Sequence, residues 1–159
     1  MGLLALFCAV LVSCVSAAAV VDFSGARYLS ATNGTRLFSW YFACSSSSCS
    51  TAPLVLWVQG GPGCSSLMGA LYENGPFHID AHTGLPAVSP SSWTRVANLL
   101  FVDSPVWTGF SYGLPSTQVA TDAQTAQDYV AALQHFLALH PELRGRPIFI
   151  TGESYAGKF

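Results

Sequence analysis

The chain has 159 residues, 51% of them hydrophobic and 9% charged, with a formal net charge of −2. That apolar content excludes a disordered chain and suits strands buried on both faces within one domain. Six Lys plus Arg are too few for a nucleic-acid surface, and beyond the N-terminus no window of about twenty apolar residues offers a membrane span.

Residues 3–15 are apolar apart from Ser13 and are followed by Ser16-Ala17-Ala18-Ala19. An apolar core ending in small residues reads as a secretory leader, residues 1–18, removed from a domain of residues 19–159. Leu11-Val12-Ser13-Cys14 also looks like a bacterial lipoprotein box, but no basic residue precedes it. Beyond the leader stand Cys44, Cys49 and Cys64, an odd count for a secreted chain. Cys44 and Cys49 flank a run of four serines and can close a small loop, which leaves Cys64 without a partner here.

Two runs, 27–32 and 35–43, flank Asn33-Gly34, the strongest short hairpin signal. Asn33-Gly34-Thr35 is also a glycosylation sequon, expected on an exposed turn. Residues 44–53 are a polar loop. Residues 54–59 are a short apolar run bounded by Pro and Gly, hence a buried strand, ended by Gly60-Gly61-Pro62-Gly63. Residues 65–72 read as a short helix, 78–92 as loop, and 96–102 as the next strand. Thr121-Asp122-Ala123-Gln124 matches a capping box and opens a helix with Ala126, Val130, Leu133 and Leu137 on one face. Pro141 ends it by pushing His140 out of the helical region. Residues 147–151 are the last strand. Strand, helix and strand in succession imply an α/β fold with a parallel or mixed sheet.

That last strand runs into Gly152-Glu153-Ser154-Tyr155-Ala156-Gly157. A strand feeding a tight small-residue turn with Ser at its apex is how an α/β-hydrolase presents a nucleophile. In such folds the triad follows the order Ser, acid, His. Only Tyr155, Ala156, Gly157, Lys158 and Phe159 follow Ser154, and none can be the acid or the imidazole. His78, His82, His135 and His140 all precede it and read as loop or helix-surface residues. The chain is therefore expected to be the N-terminal piece of a hydrolase, with an incomplete fold. Glu73, taken alone, reads as a solvated helix residue.

Leu56-Trp57-Val58-Gln59-Gly60-Gly61-Pro62-Gly63-Cys64-Ser65-Ser66 resembles the substrate-binding signature of serine carboxypeptidases. Asn74-Gly75-Pro76-Phe77, Asn98-Leu99-Leu100-Phe101-Val102-Asp103-Ser104-Pro105 and the Ser154 turn resemble that family too, in its order, so the likeness covers roughly residues 23–159. The resemblance implies Ser154 as nucleophile, with oxyanion-hole N–H groups from Tyr155 and Gly61. It also implies that Gln59, Glu73 and Glu153 hold the free α-carboxylate of a peptide or protein C-terminus. Two ionised carboxylates would repel that group, so one of the pair must carry a proton, and best activity is expected at acidic pH. No metal or organic cofactor is implied, and the route is secretory, to the outside or to a lysosome or vacuole. Two positions depart from the family: Gln59 stands where Asn is more usual, and Trp107 where Gly is usual. An acyltransferase on the same scaffold, or a non-catalytic truncated product, are the competing readings.

Overall fold

The computed structural model describes residues 25–47 and 49–159; the expected leader lies outside them. Seven strands and one long helix make up the regular structure of these residues. They are β1 (Ala26–Ser30), β2 (Arg36–Phe42), β3 (Leu54–Val58), β4 (Phe77–Ile79), β5 (Pro86–Val88), β6 (Asn98–Val102), α1 (Asp122–Leu139) and β7 (Ile148–Gly152). Five strands form one mixed sheet in the order β1-β2-β6-β3-β7. β1, β2 and β6 pair antiparallel, whereas β3 lies parallel to both β6 and β7.

The β1–β2 connection is the expected Asn-Gly turn. Thr35 N donates to Thr32 O at 2.9 Å, with Asn33 at φ 51° and Gly34 at φ 81°. Positive φ at both central residues makes this the mirror-image turn whose twist matches the flanking strands. Asn33 is exposed at its tip.

β3 and β6 are buried along their whole length, and their alternation divides the core into two layers. Leu54, Leu56, Val58, Leu100 and Val102 face Tyr129, Ala132 and Phe136 of α1. Val55, Trp57, Leu99 and Phe101 face the opposite way, with Trp40, Ala70 and Leu71 against them. Asn98 ties the strand starts together. Its Oδ1 accepts from Tyr41 Oη and Cys44 N, both at 3.0 Å, and its Nδ2 donates to the carbonyls of Ala52 and Pro53.

The capping box at α1 is present in both directions between Thr121 and Gln124. The helix ends at His140, which has left the helical region (φ −123°, ψ 66°) ahead of Pro141. The buried stripe, however, is Thr125, Asp128, Tyr129, Ala132 and Phe136. Val130, expected on the core face, is 54% exposed, and lines an apolar cleft with Ala126, Leu133 and Ile150 beside β7. The helix is rolled toward β1 and β2 because polar groups also anchor it there. Asp128 accepts from the Thr32 N–H, and His135 Nδ1 accepts from the Ser30 N–H at 2.8 Å. His135 and His140 are thus structural rather than surface histidines; the His140 ring stacks on Phe136 at 4.4 Å.

Three further expectations are corrected. Residues 78–92 are not all loop: β4 and β5 pair antiparallel, Phe77 opposite Val88, around a turn whose Asp80 carboxylate accepts from the His82 and Thr83 N–H groups. Three-residue strands are too short to show a period in sequence. The short helix expected over 65–72 is present but shifted and wider: it runs from residue 67 into a π-type turn over Gly69–Glu73, with Asn74 N donating to Gly69 O at 3.0 Å. The sixth strand starts at Asn98, because Trp93–Arg95 is a helical turn capped by the Ser92 hydroxyl. A disulfide joins Cys44 to Cys49, with Cα atoms 5.6 Å apart, and a helical turn follows at Cys49–Thr51.

Phe136 is fully buried, and its ring lies 5.2 Å from that of Tyr41. Phe136→Ala should therefore cost about 3–5 kcal/mol of stability, read as a lower midpoint in urea unfolding.

Candidate active site

The parallel strands β3, β6 and β7 end on the same edge of the sheet, and the segments leaving those ends build the site. β3 and β7 pair in register up to Val58 and Gly152, and Glu153 N continues the ladder to Val58 O at 3.3 Å. The next residue, Ser154, takes φ 57°, the left-handed region that a non-glycine residue rarely enters. A helical turn, Ser154–Lys158, follows at once. The turn is sharp because its neighbours are small. A Cβ on Gly152 would stand 2.5 Å from Val58 O and 2.7 Å from the Ala156 Cβ, and one on Gly60 would stand 2.9 Å from both the Ser154 Cβ and Tyr155 N. The glycine turn after β3 is thereby packed on the serine turn after β7. Gly61, at φ 111°, is the next residue along.

Gln59, Glu73 and Glu153, far apart in sequence, meet in space. The Gln59 amide nitrogen donates to Glu73 Oε1 at 3.0 Å and to Glu153 Oε2 at 2.8 Å. Its carbonyl oxygen accepts from the Trp57 indole N–H at 2.8 Å. The amide is buried, and the two carboxylate side chains belong to exposed residues. Trp57 went unassigned in the sequence. The signal was there: residues two apart on a strand share a face, and Gln59 follows the end of β3.

A second polar hub braces the glycine turn. Asp103, 1% exposed, accepts from Ser65 Oγ at 2.6 Å, Ser66 N at 2.8 Å and Phe110 N at 3.1 Å. Ser66 Oγ in turn donates to Val102 O and accepts from Gln59 N. Burial holds the Asp103 carboxyl above its ordinary value, outweighing these donors, which pull it down. The sequence placed Asp103 in a family-like segment without a role. Its role is legible only in space, as the joint between the loops after β3 and β6.

Ser154 is exposed, and so is Cys64, a free thiol. Tyr155 hydrogen-bonds through its hydroxyl to Asp122 at the start of α1, at 3.2 Å. The histidines lie in other elements: His135 and His140 at α1, His78 on β4, and His82 on the turn after it. Among the described residues no group of three or more His, Cys, Asp or Glu side chains is placed to hold a metal ion, and no helix is long and apolar enough to cross a membrane.

A mixed sheet with a positive-φ serine between strand and helical turn defines an α/β-hydrolase. The serine carboxypeptidase family, peptidase S10, matches residues 18–159, and the chain belongs to that family. It is 41% identical over 140 residues to serine carboxypeptidase S10 family member 1 of Dictyostelium discoideum, covering 87% of this chain and 33% of that protein. It is also 41% identical over 130 residues to the lysosomal protective protein of Mus musculus, covering 82% and 27%. Among solved structures it is similar to the prohormone-processing carboxypeptidase Kex1(Δ)p of Saccharomyces cerevisiae, with a TM-score of 0.66 and 32% identity over 79% of this chain and 28% of that one. The chain thus spans about a third or less of the proteins it matches.

The raised Asp103 carboxyl has a signed consequence. The folded state keeps this proton to higher pH than the unfolded chain does, so its contribution to stability is greatest at the acid end. It falls as pH rises from about 4, the unfolded value, through the folded one. Unfolding midpoints of wild type and Asp103→Asn followed over pH should converge across that window; parallel curves would contradict the assignment.

Proposed function

We propose that the protein carrying this chain is a serine carboxypeptidase that releases C-terminal residues from peptides. The observation that carries the reading is the cluster of Gln59, Glu73 and Glu153 against the serine turn. An exopeptidase must recognise a free α-carboxylate beside the reacting carbonyl. A pair of acids held by one amide does this once either acid is protonated, because a carboxylic acid donates to a carboxylate where two carboxylates repel. The same requirement favours acidic pH and agrees with passage through the secretory pathway toward an acidic compartment. The Cys44–Cys49 disulfide fits that route, as would a glycan on Asn33.

In this reading Ser154 Oγ attacks the scissile carbonyl, and the C–O bond of a tetrahedral intermediate forms. Its oxyanion is received by the backbone N–H groups of Tyr155 and Gly61. Collapse breaks the C–N bond, the terminal residue leaves as its amine, and water then hydrolyses the acyl-serine. The serine proton must pass to a base, and among the described residues no histidine hydrogen-bonds to Ser154. Loss of one oxyanion donor costs about 3 kcal/mol in such sites, so the backbone at Gly61 matters as much as its missing side chain.

The test is release of the terminal residue from a peptide acid by the full-length protein at acidic pH. Ser154→Ala should lower kcat on the order of 10⁶-fold, and amidation of the peptide C-terminus should abolish turnover by wild type. Equal cleavage of acid and amide would remove the carboxylate-binding role of Gln59, Glu73 and Glu153. Trimming that persists in Ser154→Ala would remove the nucleophile.

A further inference from the structure

The loop that leaves β6 is locked to the glycine turn. Asp103 holds Ser65 and Ser66 on one side and Phe110 N on the other. Ser111 Oγ donates to Asp103 O at 2.6 Å, and a Cβ on Gly63 would stand 3.9 Å from Thr108 Oγ1. Within this loop Thr108 N donates to Pro105 O at 3.1 Å, closing a four-residue turn with Trp107 in the third position. Trp107 takes φ 73° there. A positive φ at that position belongs to the turn type that calls for Gly or Asn, and for a bulky side chain it is an outlier.

Burial does not explain the indole's position, since more than half of it faces solvent. Val106 and Thr108 on either side are 5% and 4% exposed, whereas Trp107 is 54% exposed. A large apolar ring is therefore held outward on a fixed backbone, one residue from the contact with the glycine turn. Backbone outliers of this kind persist where the surroundings over-determine them, and they cluster at ligand clamps. A ring already fixed in place loses little freedom when a partner packs on it.

We propose that Trp107 is a specificity-determining residue, a preset wall beside the glycine turn that receives an aromatic or large apolar side chain of the peptide substrate. This rests on the carboxypeptidase reading above. The full-length protein would be assayed on paired peptide acids that differ only by Phe or Ala at one of the two residues of the scissile bond. Wild type should favour Phe, and Trp107→Asn and Trp107→Gly should each shrink the Phe-to-Ala ratio of kcat/KM by about 2- to 10-fold at one of those residues, the size of an aromatic packing contact. The preference for peptide acid over peptide amide should stay as in wild type. Trp107→Asn should also raise Tm, because Asn tolerates the left-handed region. An unchanged Phe-to-Ala ratio in both variants would overturn the proposal, and a lower Tm in both would overturn the strain argument by making the indole a packing element. A wild type that cleaves no peptide acid would overturn the parent reading and this inference with it; an active wild type with an unchanged ratio overturns this inference alone.

Discussion

The candidate site hangs on the parallel pairing of β3 with β7. Val58 lies opposite Gly152, so the first residues beyond each strand arrive side by side. One step on, Gln59 meets Glu153; two steps on, Gly60 meets the Ser154 turn. Slipping the register by one residue would send each of these side chains to the opposite face. A slip would also break the ladder from Leu54–Ile148 to Val58–Gly152 and the close packing of Gly60 on the serine turn.

The two loops that follow are braced rather than free. Ser66 touches the ends of β3 and β6 at once, through Gln59 N and Val102 O, while Asp103 gathers Ser65, Ser66 and Phe110. A buried carboxyl of this kind is costly unless its acceptors are filled. The donors come from both loops, so the cost of burial is offset only when the loops sit together. Loss of the carboxyl would orphan several donors together.

The opposite end of the sheet does a different job. Asn98, Tyr41 and the Cys44–Cys49 disulfide fasten the strand starts, and His135, bonded to Ser30 N, and His140, packed on Tyr41, fasten α1 to the hairpin side. Asn98 and the disulfide lie at the end of the sheet away from the candidate site. β7, with Phe149 and Ile150 more than half exposed, is the least covered strand, although it carries the serine turn.

Local signals in the sequence determined much of this protein. Asn33-Gly34 set a hairpin because two positive-φ residues suit one turn, Thr121 and Gln124 capped a helix, Pro141 ended it, and small residues around Ser154 announced a sharp turn. Each depends on residues within a few positions of one another. The motif order sufficed for the family, and with it for naming Gln59, Glu73 and Glu153 as partners. Tertiary structure alone decided how the Gln59 amide divides between the two acids, that Trp57 orients it, that Asp103 joins two loops, and which stripe of α1 is buried. Those outcomes depend on strand register, helix roll and loop contacts, which join residues as distant in the chain as Gln59 and Glu153 and leave no local period to read. Trp107 belongs to both levels: its segment was legible in the sequence, but only the backbone angle of 73° shows that the position suits a glycine.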